Sequence, residues 1–381
     1  MKLLQIVFLS VVLPVYALAQ HTVSGRVIGA GDRQPLPFAN VFLSNTTRGT
    51  VTNDKGEFSL TQVPPGIQEL VVSYVGFQTR TRQIRTDSAS ALVITLEPAS
   101  GELAEVKIKS RKDKFWREHL EIFKAQFLGT GANARQTEIL NPDVIWITED
   151  STKQWLSVGA REPLVIQNEA LGFRIKYQLE AFAYSEKQQY VSYVGYPVFE
   201  EMTAKSTESV EIWRKNRDRA YYGSLIHFFR SLKDHRLQAE GYEVHRMADP
   251  ADSPLNAMGM ESKKWSRAQF PKYNSYFVSE ALLGEADLLN TRLSNEAEGV
   301  TRFRGAVQVV YRKETETVAF SRQNVVKKPQ TSVIQMLGQA VRIQPNGQFF
   351  PALDVLVSGS FASDKLADAL PFDYQPYEAA K

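Results

Sequence analysis

The stretch Gly49-Thr50-Val51-Thr52-Asn53-Asp54-Lys55-Gly56-Glu57-Phe58-Ser59-Leu60 decides how the first part of this chain folds. Asn53–Gly56 is a polar turn whose glycine tolerates positive φ. After it, Phe58 and Leu60 alternate with polar residues, the period of a half-buried strand. Working outward, Val23, Gly25 and Val27 show the same alternation and run into a turn at Gly29–Arg33. Phe38–Leu43 reads as a second strand, and Leu70–Val75 and Leu92–Leu96 as β-branched strands. Val63-Pro64-Pro65-Gly66 punctuates the run. No helical period appears before Pro98, and strands at this spacing predict a small β-sandwich over residues 20–98.

The same residues carry a resemblance. Their order is Val23-x-Gly25-x-Val27, Pro35-Leu36-Pro37-x-Ala39-x-Val41, then Gly49-Thr50-x-Thr52-x-Asp54-x-Gly56-x-Phe58-x-Leu60. Pro65-Gly66 and Val72-Ser73-x-Val75-Gly76-Phe77 follow, with Phe77 where a tyrosine is commoner. This series resembles the carboxypeptidase regulatory-like domain, a transthyretin-like (Ig-like) sandwich. The resemblance implies an accessory role without catalytic residues. It also implies an envelope protein of the Bacteroidota, where the module precedes many TonB-dependent outer-membrane receptors. Turn geometry by itself accounts for Asp54 and Gly56.

Ahead of the sandwich, Lys2 precedes an apolar run, Leu3–Leu18, that ends in Ala17-Leu18-Ala19. A positive charge, a short apolar core and an A-x-A site predict a secretory signal peptide over residues 1–19, cut between Ala19 and Gln20. The run is shorter than the ~20 residues of a spanning helix. Gln20 stands where a lipoprotein has cysteine. No later window is apolar enough to span, so no transmembrane segment is expected after cleavage. The expected location is the periplasm or outer-membrane surface of a Gram-negative bacterium.

Composition narrows the chemistry. Among 381 residues there is no cysteine, which removes thiolate catalysis, disulfides and cysteine metal sites. Lys and Arg number 45 against 42 Asp and Glu, so no global charge favours nucleic acid. The chain holds five His, and none has Glu three residues later: Ser24, Ile122, Arg230, Gln238 and Ala248 stand there. A zinc carboxypeptidase is excluded on that ground, as is a His-Glu-x-x-His site. The serine-hydrolase elbow, the phosphate-binding loop and the dinucleotide fingerprint are likewise missing; Gly129-Thr130-Gly131 reads as a helix stop. No cofactor, metal site or catalytic residue is expected.

Residues 99–114 read as a basic linker, with a possible strand at Leu103–Ile108. Residues 115–381 read as one α+β domain. Helices are expected at Phe115–Leu128, Glu208–His235 with a kink or break at Gly223, and Ser363–Leu370. Strands are expected at Val144–Thr148, Trp155–Val158, Leu164–Gln167, Phe173–Tyr184, Tyr190–Val198, Tyr242–Arg246, Val300–Tyr311 and Val355–Ser358. A hairpin is expected at Val341–Phe350, and a loop at Asp249–Gly259. This half is similar to a second envelope family that carries the same N-terminal module. The shared residues include Phe127-Leu128-Gly129, Glu162-Pro163-Leu164-Val165-Ile166, Asn216-Arg217 and Leu366-Ala367-Asp368. No activity comes with that similarity.

The candidate binding residues are Trp213, Arg217, Tyr221, His227 and Arg230, at helical spacing. An arginine among aromatic rings can hold a carboxylate or sulfate bidentately. The competing reading makes Arg217 a tie to a strand carboxylate such as Glu162 or Glu180, and His227 a hydrogen-bonded core residue. The expected function is a non-catalytic accessory or binding protein of the envelope, with a protein or glycan partner. Two alternatives stand beside it: a periplasmic hydrolase of peptide or glycan working through Arg217 and His227, and a partner of a TonB-dependent transport system.

Overall fold

In the computed structural model the described residues are 21–86, 91–99, 114–150, 152, 154–188, 190–248, 265–268, 276–303, 305–315 and 328–377. The expected signal peptide with Ala19 and Gln20, most of the basic linker, the Leu103–Ile108 strand and the Asp249–Gly259 loop lie outside them.

The first strands are β1 (His21–Gly29), β2 (Asn40–Leu43), β3 (Gly49–Val51), β4 (Glu57–Val63), β5 (Ile67–Ser73), β6 (Arg80–Arg85) and β7 (Leu92–Leu96). They form two sheets, β4-β1-β7 and β3-β2-β5-β6. Val23, Val27, Phe58, Leu60, Leu70 and Ile94 fill the space between. This region is all-β, as expected. Its signature residues have local causes. A Cβ on Gly25 would stand 2.3 Å from the Leu92 carbonyl of the parallel strand β7. The Asn53 side chain accepts from the Lys55 and Glu57 N–H groups, and Gly56 closes that turn at φ +72°. Thr52 Oγ1 donates to Leu36 O at 2.6 Å and accepts from Ala39 N at 2.8 Å, pinning the Pro-rich loop.

Two strand expectations are corrected at their ends. Phe38 has φ +60°, is 66% exposed, and lies before β2, not in it. Val75 is 92% exposed and lies past β5, in the turn at Gly76. The strand β6 has a single buried apolar residue, Ile84, and carries no period-two signal.

After α1 (Lys114–Phe127) come β8 (Thr137–Ile139), β9 (Ile145–Asp150), β10 (Trp155–Ala160), β11 (Leu164–Asn168), β12 (Phe173–Ser185) and β13 (Tyr190–Glu201). These strands make one antiparallel six-stranded sheet. The helix α1 lays Leu120, Phe123 and Phe127 on it, with Phe127 edge-on to Tyr177 at 4.9 Å. Each buried phenylalanine contributes about 1.5–3 kcal/mol of apolar burial.

The helices α2 (Thr207–Tyr221), α3 (Leu225–Lys233) and α4 (Leu237–Glu240) lead to β14 (Tyr242–Ala248), β15 (Trp265–Ala268) and β16 (Tyr276–Leu282). Then follow β17 (Gly299–Val300), β18 (Gly305–Thr315), β19 (Pro329–Met336), β20 (Arg342–Ile343), β21 (Phe349–Phe350) and β22 (Val355–Gly359). A second six-stranded sheet runs β15-β16-β14-β18-β19-β22. Phe228, Phe229 and Leu232 of α3 bury against its Val307, Val309 and Ile334. Among the described residues the region is thus α+β, with two six-stranded sheets, a small three-stranded sheet β17-β20-β21 and two cores.

The expected helix over Glu208–His235 is two helices. Gly223 stands between them at φ +79°, where a Cβ would meet Gln330 Oε1 at 2.6 Å. The expected strand Val300–Tyr311 is also two. Val300 pairs with Arg342, and a positive-φ Gly305 opens β18. The expected helix Ser363–Leu370 is a short turn, Ser360–Ser363, then extended backbone at Asp364 and Lys365, then a 3-10 turn at Leu366–Asp368. Ser363 caps nothing; its hydroxyl donates to Ser360 O. Among the described residues no helix is long and apolar enough to cross a membrane.

The sandwich and the first six-stranded sheet are packed together. Phe42 and Val71 lie on Val198 and Tyr196 of β13. The loop between β2 and β3 continues the contact: Asn45 N donates to Pro197 O at 2.7 Å, and Phe199 N to Thr46 O at 2.9 Å.

Candidate functional site

The segment from Trp213 to Arg230 does two local jobs before any other. On α2, Trp213 Nε1 donates to Glu169 O at 2.8 Å and its ring lies against Gly172, where a Cβ would be 2.2 Å away. Asn216 Nδ2 donates to Ala170 O at 2.8 Å. Arg217 Nε donates to Leu171 O at 2.7 Å, and its guanidinium sits 4.0 Å over the Phe173 ring. With Arg217 Nη2 also donating to Gly172 O at 3.3 Å, four successive carbonyls of the β11–β12 turn are held by one helix face. The remaining arm of Arg217 reaches Glu201 at 3.0 Å. A strand carboxylate does tie this arginine, but it is Glu201 of β13, not Glu162 or Glu180.

The second job is closure of the α2–α3 break. Ser224 caps α3 by accepting from His227 N. His227 is 2% exposed, and its Nδ1 lies 3.2 Å from the Gly223 N–H that donates to it. Tyr242 Oη stands 2.9 Å from the same nitrogen. With Nδ1 accepting, the ring hydrogen is assigned to Nε2, which faces Glu240 Oε2 at 3.4 Å, a distance at the outer limit for a hydrogen bond. Tyr221, Tyr222, Tyr242 and Tyr311 surround the imidazole. Burial pushes it down to about 4, although Glu240 pulls the other way. It is therefore neutral at physiological pH. Arg230, 8% exposed, donates to Asn346 O at 2.9 Å and to Phe372 O and Tyr374 O at 2.9 and 3.0 Å. The five expected residues thus lie along one continuous stretch, each engaged with the protein's own backbone or rings.

A second group of titratable side chains escaped the sequence reading. Asp364, Lys365 and Asp368 lie just past β22, and Glu314 at the end of β18 is near enough for its charge to act on Asp364. Asp364 is exposed to solvent, and neighbouring protein strips part of its hydration. Burial, then Asp368 and Glu314, push it up to about 8; Lys365 opposes. Burial also raises Glu314 and Asp368 and lowers Lys365. Gln330 Nε2 donates to Glu314 at 2.7 Å and Asn133 Nδ2 to Asp368 at 2.9 Å. The Gly129-Thr130-Gly131 loop gives this group room: a Cβ on Gly129 would sit 3.1 Å from Lys365 Cβ. A carboxylic acid kept neutral beside carboxylates can donate a proton. Among the described residues no three His, Asp or Glu are grouped to hold a metal ion. The sequence shows Asp364-Lys365 close to Asp368, but nothing in it places Glu314 near them.

Comparison with known proteins bears on the first region. Over 90 residues the chain is 38% identical to a TonB-dependent receptor of Formosa agariphila, a match covering 24% of this chain and 8% of that receptor. The chain therefore corresponds to a small fraction of the receptor's length. Among solved structures, a type II cohesin–X-dockerin complex of Acetivibrio cellulolyticus is 22% identical, covering 20% of this chain and 58% of that one at a TM-score of 0.17. The Bacillus anthracis TIE protein is 12% identical, covering 49% and 28%, at a TM-score of 0.18. Both likenesses are too slight to inform the fold. Residues 23–108 match the family model of the CarboxypepD_reg-like domain.

Proposed function

We propose that this chain is an exported protein of the cell envelope in which a non-catalytic sandwich is built into an α+β region to form one accessory or binding unit. The proposed division is a signal peptide at 1–19, the sandwich at 20–98, a linker at 99–114 and the α+β region at 115–381. The observation that carries this reading is how the module is used. Its signature residues serve turns and strand packing, and one sheet face is spent against β13. The similarity to the first part of a TonB-dependent receptor supports an envelope setting and a partner there, protein or glycan. Osmotic-shock and membrane fractionation, followed by cross-linking of the full chain in its host, tests it. Recovery in the envelope fraction with a cross-linked envelope partner is the expected result. A cytoplasmic protein without such a partner refutes it.

One observation favours a second reading, hydrolysis of peptide or glycan. Asp364 is a raised carboxyl with solvent access beside Glu314 and Asp368, an arrangement suited to general acid chemistry. Turnover of peptidoglycan fragments or oligosaccharides that falls in both Asp364→Asn and Glu314→Gln is its expected signature. No turnover by the wild-type protein ends it.

A further inference from the structure

After the 3-10 turn at Leu366–Asp368 the chain runs through Pro371–Tyr377, between the helices and the sandwich. Pro371–Tyr374 closes on itself, with Tyr374 N donating to Pro371 O at 2.9 Å. This turn has two sets of contacts. Toward the helices, Arg230 captures the carbonyls of Phe372 and Tyr374, and Tyr374 Oη donates to Asp218 of α2 at 2.7 Å. Toward the sandwich, Phe372 N donates to Asn45 O at 2.7 Å. Asp373 accepts from Thr47 N at 3.0 Å and from the Thr47 hydroxyl, and it lies 3.4 Å from Arg48 Nε.

We infer that Pro371–Tyr377 is a strap that fixes the orientation of the sandwich, through Asp373 on the loop between β2 and β3 and Arg230 on the strap's own carbonyls. Besides Phe42 and Val71 on β13 and Ile67 N, which donates to Gln344 Oε1 at 2.9 Å, the sandwich is attached to the rest of the protein through this loop. Its other side is already held by Pro197 and Phe199 of β13. The strap therefore completes a clamp, with β13 as one jaw and the Pro371–Tyr374 turn as the other. Arg230 makes the second jaw rigid. A guanidinium this deeply buried is stable only with its donors satisfied. Here three carbonyls, those of Asn346, Phe372 and Tyr374, accept from it and so fix the turn against α3. Asp373 then presents both oxygens to a loop 326 positions away in the sequence. A regulatory-like module tethered by a linker alone would swing; this one is gripped at this loop.

The lack of native cysteine makes the test direct. Nitroxides are attached at Lys55→Cys on the sandwich and Lys215→Cys on α2, both exposed, in the full chain. Pulsed dipolar spectroscopy is expected to give a single narrow distance peak. Asp373→Ala and Arg230→Met are each expected to lose that peak to a broad distribution, with the far-ultraviolet circular dichroism unchanged. Arg214→Ala, which removes the cation over the Tyr377 ring and a surface pair with Glu211, is expected to keep it. Should either variant fail to fold, Asp373→Asn decides alone, since it keeps the side-chain volume and removes the charge. A narrow, unshifted peak in a folded Asp373 variant overturns the inference.

Discussion

His227 offers a sharp test of how the α2–α3 break is held. Its imidazole is buried, accepts from the Gly223 N–H, and is pushed down from 6.5 to about 4 mainly by loss of solvent. A folded value below the unfolded one means the neutral ring stabilises the fold. That contribution is complete above about pH 6.5 and is lost as the pH falls from 6.5 towards 4. The gap amounts to about 3 kcal/mol at full loss, of which most is gone by about pH 4.5. Glu240, Arg236, Lys313 and Arg230 surround the site, with Glu240 tied to Arg236 at 2.5 Å. Other groups titrate in the same range. Asp364, raised to about 8, gives the opposite trend: its contribution is present below about pH 4 and declines as the pH rises through 8. The readout is therefore a difference between two proteins, not a raw slope. Wild type and His227→Gln are unfolded in urea at steps from pH 7.5 to 4.5. Gln cannot titrate, so the wild type should lose roughly 2–3 kcal/mol more than the variant across that range. Parallel stability curves would show that His227 is not held neutral by burial, and the account of the break would fail.

Asp364→Asn keeps the neutral form that the fold favours, so its melting temperature should rise relative to wild type as the pH is raised from 5 to 9; a constant offset would contradict the raised carboxyl. Phe127→Ala empties a fully buried site among Tyr177, Phe182 and Tyr193 and should cost about 3–5 kcal/mol in urea unfolding, whereas a loss under about 1 kcal/mol would mean that α1 does not pack as described. Gly25→Val should prevent the sandwich from folding, because its Cβ would collide with the Leu92 carbonyl; a cooperative transition at the wild-type temperature would contradict the parallel β1–β7 pairing. Arg217→Lys retains the charge but not the fork that spans Leu171, Gly172 and Glu201, and should destabilise by about 1–3 kcal/mol in the same assay.

The sandwich was legible because its turns are written locally. Asn53, Gly56, Thr52 and Gly25 each act on neighbours a few residues away or on the adjacent strand, and their types are dictated by backbone geometry. The edge strand β6, Arg-Thr-Arg-Gln-Ile-Arg, was not legible, since one buried isoleucine leaves no period. In the α+β region the long aromatic strands and α1 stood out, while Thr137–Ile139, Tyr276–Leu282 and Pro329–Met336 did not. The candidate residues Trp213–Arg230 share one stretch of sequence, and their partners are not legible in it. Arg217 meets Glu201 because β13 returns beside the β11–β12 turn, and Arg230 meets carbonyls more than a hundred positions away. Pairings of that kind come from topology. The same holds for Glu314 against Asp364: each carboxyl is ordinary in sequence, and only the ends of β18 and β22 make them neighbours.

The contact of Asn45 and Thr46 with β13 has a further consequence. Strand β13 is the outermost member of its sheet, and its free N–H and C=O groups at Pro197–Phe199 are answered by the sandwich loop. An unanswered edge of this kind invites pairing with a second chain. The module therefore acts as a stopper against intermolecular strand addition at that position. Where the loop covers them these groups are closed to such pairing, and a chain deprived of the sandwich should associate more readily through β13.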